Sequence, residues 1–408
     1  MPLRVSKGRS VQSDSPEPKI RDRIARNGKI TFADFMALAL YDPECGYYSS
    51  VSTLAESRDY FTSPAAHPSF GALLAVQFER MWEVLERPER FFVVEMGAGS
   101  GLLAKDAVTY ASTLSGGFKR SLRYVVIDRH PSRGSSGVEL IASDRVPLRD
   151  VVGCLVSNEL VDAFPVHRFQ IEEGRLRELF VGLDDRGGLV EMPGEPSTTL
   201  LATRLGERVH DLPDGTRGEV NPGIGPWMSD VSRALKRGFV VTMDYVHESD
   251  EHYSADRSHG TLQTYYRHTQ GSSPYRRIGR QDITAHVDFT AVMEEGRSAG
   301  LRPLGLTTQG EFLQRLGLAR MLDRLREAGL PQQEHDANRM AMMELVKPDG
   351  LGGFRVLVQW KGAGVRSLSE VAPTEGRTSD LEVPLLGPDR LRLMEGRYPH
   401  LVWQPPEL

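Results

Sequence analysis

The stretch Phe91-Phe92-Val93-Val94-Glu95-Met96-Gly97-Ala98-Gly99-Ser100-Gly101 decides the fold. Four apolar residues in a row, then an acid, read as a strand buried on both faces, the kind found inside a parallel sheet. Three glycines at alternate positions follow; they allow positive φ and let the backbone come close to a ligand. A helical pattern through Leu102, Leu103, Ala107 and Val108 comes next. In open α/β sheets, ligands bind beyond the carboxyl ends of the strands, at such strand-to-helix turns. The free N–H groups at the helix start favour polar or anionic groups there.

The spacing narrows the ligand. A dinucleotide fingerprint is G-x-G-x-x-G, and a P-loop ends in Gly-Lys-Ser/Thr. Here the pattern is G-x-G-x-G with Glu95 before it and no such ending. An acid ahead of a short glycine turn suits a ligand with a cationic amino-acid moiety, as in S-adenosylmethionine. Asp128 closes the next apolar run, where a carboxylate can accept hydrogen bonds from both ribose hydroxyls. The plainer alternative is a tight structural turn beside a surface acid.

Working outward, the strand pattern recurs at Tyr124–Asp128, Gly153–Leu160, Gly238–Tyr245 and Phe354–Trp360, interleaved with helical patterns. Such alternation implies parallel βαβ units. The fold class expected is α/β: a Rossmann-like, mostly parallel sheet of the class I methyltransferase type, with a helical N-terminal region and inserted antiparallel or irregular segments. Residues 1–18 read as a disordered lead-in and 19–90 as the helical region. There Ile20 and Ile24 share a face, Asn27-Gly28 supplies a stop, and Thr31 caps a second helix. Residues 91–245 form the cofactor-binding core, with an antiparallel meander inserted at 166–192. Residues 246–350 read as an insertion covering the substrate cleft, 351–362 as the final core strand, and 363–408 as a tail with short strands.

Composition excludes several classes. Among 408 residues, 50 basic and 55 acidic side chains give a net charge of −5 spread along the chain. No basic block with interleaved aromatics points to nucleic acid. The Arg-rich start (Arg4, Arg9, Arg21, Arg23) reads as a solvated terminus. Cys45 and Cys154 do not make a disulfide framework, so a reducing compartment is expected. Neither a secretory h-region nor a 20-residue apolar run is visible. The expectation is a cytoplasmic protein with no membrane and no nucleic-acid partner; a homodimer is allowed.

A second constellation, Ser157-Asn158-Glu159-Leu160-Val161-Asp162-Ala163-Phe164-Pro165, leaves the third apolar run on the same sheet edge. Glu159 and Asp162 are candidates to orient a cationic or protic acceptor and take its proton. Asp244 ends the fourth run, and His286 lies in Asp282-Ile283-Thr284-Ala285-His286-Val287-Asp288-Phe289. A solvated loop with a proline stop is the bland alternative for 157–165. The histidines at 247, 252, 259, 268 and 286 match no zinc spacing, so no metal is expected. No G-x-S-x-G elbow exists, which argues against a serine hydrolase.

Taken in order, several blocks resemble the MidA family of S-adenosylmethionine-dependent methyltransferases. They include Phe35-Met36, Gly46-Tyr47-Tyr48, Asp59 to Pro64, Phe70-Gly71, Glu95 to Gly101, Asn158-Glu159 and Pro165-Val166-His167. Asp244-Tyr245, Gly260-Thr261-Leu262, Thr284 to Phe289 and Thr308-Gln309-Gly310 complete the set, across roughly residues 20–362. The family includes a mitochondrial complex I assembly factor that methylates a protein arginine. The resemblance implies that Asp59, Phe61, Thr62, Ser63 and Pro64 surround the cofactor together with Glu95, Gly97, Gly99 and Gly101; Asp128, Asn158 and Glu159 complete the expected cofactor-binding set. It implies that Asn158, Glu159 and Asp162 line the methyl-transfer cleft, with 260–290 near the acceptor. Arg58, Ala65 and Val246 stand where a glycine, an acid and a glycine are expected. A protein arginine is therefore the first acceptor class, and a small-molecule O-, N- or C-acceptor the second. A non-catalytic assembly protein and a nicotinamide-dependent oxidoreductase are the remaining readings.

Overall fold

In the computed structural model, the described residues are 15–49, 62–131, 135–245, 259–266, 269–271, 273–378, 380–387 and 390. Seven strands make the central sheet, numbered in chain order. They are β1 (Phe91–Met96), β2 (Leu122–Asp128), β3 (Val138–Ala142), β4 (Val151–Asn158), β5 (Leu235–Asp244), β6 (Arg302–Thr308) and β7 (Arg355–Lys361). Their order across the sheet is β3-β2-β1-β4-β5-β7-β6. Only β7 runs against its neighbours. The strand order reverses between β1 and β4, which is where this fold class opens its ligand crevice.

Apolar runs on β1, β2, β4 and β5 are buried on both faces because helices cover both sides. One layer packs Ser69–Val84 and Leu102–Ala111 on Phe91, Val93, Tyr124, Val156 and Val241. The other packs Ile224–Ala234 and Phe289–Ser298 on Val94, Val125, Leu155 and Val240. The first pair of helices meets closely at Gly71, where an added Cβ would sit 2.6 Å from Asp106 Cβ.

A second sheet is wholly antiparallel. Its strands His167–Glu172, Arg175–Leu183 and Leu189–Gly194 occupy the segment expected to be a meander. The hairpin joining the first two turns through Glu173 and Gly174, both at positive φ (52° and 69°), as two-residue turns of this kind require. The sheet is wider than the sequence indicates: Ile30–Thr31 adds to one side and Arg217–Val220 to the other.

The helices Glu17–Asn27 and Phe32–Tyr41 bury Ile20, Ile24, Phe32, Phe35 and Met36 against Val166, Val181 and Ile283. The first begins inside the expected lead-in, because Pro18 at its second position is compatible with a first helical turn. It stops at Gly28 (φ 76°). Thr31 Oγ1 caps the second by accepting from the Asp34 N–H at 3.0 Å.

Within 246–350, expected to be an insertion, Gln263–Tyr266, Thr269–Gly271 and Asp282–Thr284 form a small antiparallel sheet. Phe289–Ser298 and β6, however, belong to the central core, because the helix packs its apolar residues on the main sheet and β6 pairs with β7. Beyond β7 the tail departs from the short strands expected: its described part holds only single helical turns, Leu368–Val371 and Glu375–Thr378. Its carbonyls instead meet side chains of the adjacent helices. Among the described residues no helix is long and apolar enough to cross a membrane.

Candidate active site

The carboxyl ends of β1, β2, β4 and β5 converge on one edge of the sheet. The turn after β1 is left-handed at Gly97, Gly99 and Gly101 (φ 70°, 51° and 73°), which accounts for the three glycines. A Cβ on Gly97 would sit 2.6 Å from Leu160 Cδ1, so the two loops flanking the reversal point touch there. A Cβ on Gly99 would meet nothing within 4 Å. Asp128, at the end of β2, accepts from the Gly99 N–H at 3.2 Å through Oδ2 and from the His130 N–H at 2.9 Å through Oδ1. It therefore braces the glycine turn.

Glu95 points beneath the turn. Its Oε2 accepts from the Tyr124 hydroxyl at 2.7 Å, and the carboxyl is sealed in the core. Burial pushes it up to about 7, the Tyr124 hydrogen bond opposes, and the Asp128 and Asp106 charges add to the rise. In this geometry the charge of Glu95 acts from below the turn.

At the exit of β4, Glu159 adopts φ 51°, a strained value for a residue with a side chain. Its Oε1 accepts from Asn158 Nδ2 at 2.8 Å and from the Ser63 N–H at 3.4 Å. Asn158 Oδ1 and Glu159 Oε2 are buried without a hydrogen-bond partner among the described residues. Burial pushes Glu159 up to about 8; the Asn158 contact opposes this, and the Asp244 charge adds to it. Ser63 in turn donates from Oγ to Gln309 Oε1 at 2.9 Å, which fixes the Thr62-Ser63-Pro64 segment to the start of the helix after β6. Asp59 and Phe61 lie outside the described residues.

Asp244, at the end of β5, accepts from the N–H groups of Val161 (2.9 Å), Leu160 (3.3 Å) and Tyr245 (2.9 Å). Burial still raises it to about 7. Asp162 is raised well above the carboxylate range by burial, with Asp244, Asp282 and Glu159 adding like charge. Among the described residues, neither Glu159 nor Asp162 nor Asp244 has a Lys or Arg partner; four carboxylates converge here. The segment carrying His286 is laid across this cluster. The Ala285 N–H donates to Asp162 O at 2.9 Å and the Val287 N–H to Tyr245 O at 3.2 Å. The His286 N–H donates to Thr261 Oγ1.

The structure also gathers residues to which the sequence assigned no role. Asp282 is buried and accepts from the Tyr48 hydroxyl at 2.8 Å. Tyr41 donates to Ala163 O at 2.8 Å and stacks on Tyr48 at 5.5 Å between ring centroids. Burial raises the Tyr265 hydroxyl to about 12, with Asp162, Asp282 and Glu159 adding to it. Tyr48 stands inside a block that resembles the MidA family, whereas Asp282 lies two residues ahead of the block that begins at Thr284, so only Tyr48 carried a signal. Among the described residues no cluster of His, Cys, Asp and Glu is arranged to hold a metal ion.

The site thus has two parts: a glycine cradle backed by Asp128, with the buried Asn158 Oδ1 beside it, and a cluster of buried acids flanked by Tyr48 and Tyr265. The cradle suits a nucleoside with a charged amino-acid end, because the backbone at Gly99 borders open space that a Cβ would narrow. Buried carboxylates without a Lys or Arg partner favour a cation beside them.

Comparison with known proteins agrees with this chemistry. The family described as "Putative S-adenosyl-L-methionine-dependent methyltransferase" matches residues 73–307. The human protein arginine methyltransferase NDUFAF7, mitochondrial, is 27% identical over 374 residues, 80% of each chain. Its Drosophila melanogaster homologue is 24% identical over 381 residues, 84% of each chain. A solved structure of a Burkholderia thailandensis protein bound to S-adenosyl-homocysteine aligns with a TM-score of 0.76 and 27% identity. It covers 88% of this chain and 96% of the other. A glycine cradle at the reversal point of a 3-2-1-4-5 sheet, inside a family match spanning more than half the sequence, places the chain in this family of S-adenosyl-L-methionine-dependent methyltransferases.

Proposed function

We propose that the chain methylates a guanidinium nitrogen of a protein arginine. The observation carrying this reading is the acidic chamber: Glu159, Asp162 and Asp244 have no cationic partner among the described residues, and Asp282 lies beside them. Confining like charges in a dry site is unfavourable unless a cation joins them or some are protonated. A guanidinium supplies five N–H donors in a plane, matched to carboxylates on more than one side and to tyrosine faces. The names of the animal relatives support the same acceptor.

The cofactor brings a methyl group on a sulfonium, activated for displacement. In this reading Thr62, Ser63, Pro64, Gly97, Gly99, Gly101, Asp128 and Asn158 hold it, with Glu95 acting from beneath. Asp59 and Phe61 are assigned to the same group by family resemblance. Glu159 and Asp162 would hold the acceptor and turn one of its nitrogens towards the bound methyl donor. A bound cation pulls the raised carboxyl of Glu159 back towards ionisation. The nitrogen that gains the methyl group loses a proton, and Glu159 is the group placed to take it. Asp244 holds the loop that carries both acids, and His286 stands on the segment laid across them.

An acidic chamber supports a cationic acceptor over nucleic acid. The unpaired Cys45 and Cys154 support a reducing compartment such as the cytoplasm, whereas the animal relatives are named as mitochondrial. The test is calorimetric titration with S-adenosylhomocysteine, followed by methyl transfer to arginine-containing peptides and to the same peptides with lysine in place of arginine. Micromolar cofactor-product binding with transfer to arginine peptides only is the expected result. Transfer to small metabolites alone would replace the acceptor class and leave the fold reading intact.

A further inference from the structure

We infer that the described C-terminal residues 365–378, 380–387 and 390 act as a strap that positions the cofactor turn, and that Arg390 is its positioning residue. The inference rests on the reading of Gly97–Gly101 as the cofactor turn. The segment lies beyond the family match, yet it is well anchored. Val371 and Leu381 are buried, Gln77 Nε2 donates to Val371 O at 2.8 Å, and Arg80 donates to Glu370 O and Ala372 O at 3.2 Å each.

From there the segment reaches two structures that border the cradle. Tyr110 donates its hydroxyl to Glu382 O at 2.9 Å, and Arg390 forms an ion pair with Asp106. Both partners stand on Leu102–Ala111, the helix that opens at Gly101. The Leu386 N–H donates to Asn338 Oδ1 at 2.8 Å, and that oxygen also meets His67 Nε2 at 3.0 Å. His67 directly follows the Ser63–Ala66 turn, whose first N–H meets Glu159. One segment therefore fastens the helix on one side of the cradle and, through Asn338 and His67, the Thr62–Pro64 segment on the other.

Arg390 carries this link by charge. Its side chain and that of Asp106 are 7% and 11% exposed, so each compensates a charge that would otherwise be buried alone. Asp106 lies at the tight crossing with Gly71, and its charge reaches Glu95 beneath the turn. Removing Arg390 leaves Asp106 to protonate or to move outward, and the helix that carries Asp106 is the one starting at the glycine turn.

The experiment compares Arg390→Met, Arg390→Lys, Asp106→Asn and the double variant Asp106→Asn/Arg390→Met in the full chain. S-adenosylhomocysteine affinity, thermal midpoint and amide hydrogen exchange over 97–111 are read together. Arg390→Met is expected to weaken binding about tenfold and to raise exchange in 97–111 above the rest of the sheet. Arg390→Lys should fall between it and wild type, and the double variant should return to within about threefold of wild type. Wild-type affinity in Arg390→Met, or a double variant as weak as the single, would overturn the strap whatever the thermal midpoints. If the wild-type chain binds no S-adenosylhomocysteine, the cofactor reading fails. The strap is then judged on exchange alone: unchanged protection of 97–111 in Arg390→Met overturns it.

Discussion

The N–H of Val161 donates to Asp244 Oδ2 at 2.9 Å, so the last residue of β5 holds the loop that leaves β4. Together with the bonds from Leu160 and Tyr245, this makes Asp244 an anchor for the segment carrying Glu159 and Asp162. The loop has no regular structure of its own, and these contacts fix where its acids stand.

Replacing that anchor should cost stability before chemistry. Asp244→Ala strands buried N–H groups and is expected to destabilise the fold by about 3 kcal/mol. Asp244→Asn keeps one acceptor oxygen and should lose roughly half as much. Urea denaturation of the two variants measures the difference, and equal stability of Asp244→Ala and wild type would remove the anchoring role.

The first two glycines of the turn should separate folding from binding. Gly97→Ala drives a Cβ into Leu160 at a positive φ and should lower both stability and S-adenosylhomocysteine affinity. Gly99→Ala meets open space, so its cost to folding is the backbone term of about 1–2 kcal/mol. Its methyl group would occupy the open space beside the turn that the cofactor reading fills, so at least a tenfold loss of affinity is expected. A Gly99→Ala variant that binds like wild type would mean the ligand does not occupy that space.

Glu95 makes stability fall as pH rises. Its folded-state value of about 7 lies above the ordinary 4.5, so the folded chain holds this proton more tightly than the unfolded one. The contribution is full below pH 4.5 and is lost as pH climbs to 7, up to about 3 kcal/mol. Glu95→Gln should remove this slope. Denaturation of wild type and variant at pH 5 and pH 7.5 checks it, and parallel curves would contradict the assignment.

Asp282 should matter to the acceptor and not to the cofactor. Asp282→Asn is expected to raise the KM for an arginine peptide about tenfold while S-adenosylhomocysteine affinity stays within twofold. Tyr48→Phe, which loses the hydroxyl that orients Asp282, should shift KM in the same direction by less. An equal loss of cofactor affinity would move Asp282 out of the acceptor chamber.

Five of the seven central strands were legible as apolar runs, four of them ending at an acid or amide, and glycines can be placed at a turn from spacing alone. The two edge strands, Val138–Ala142 and Arg302–Thr308, are only partly buried, carry no such run and were missed. Thr31 and Gly28 likewise announced their helix ends. The second sheet was legible only in its hairpins: Ile30–Thr31 and Arg217–Val220 are too short to show a period, and both join through partners far away in sequence. Glu95 could be placed at the turn, but whether its carboxyl points to ligand or core depends on Tyr124, which pairs with it across a strand. Asp282 and Tyr48 were quoted in motifs without a role, since their meeting is made by tertiary packing across 234 residues. The tail read as an appendage because its anchoring uses backbone carbonyls, which leave no mark in side-chain pattern.

The position of β7 has a consequence for how the chain is made. It is the last strand of the central sheet to be synthesised, yet it sits between β5 and β6 and not at an edge. Until Arg355–Lys361 leaves the ribosome, the buried strand β5 presents an open row of N–H and C=O groups beside the acidic loop. Such an edge invites pairing with other chains. A nascent chain stopped before residue 355 should therefore be prone to aggregation, while release of a few tens of residues more closes the sheet and removes the hazard.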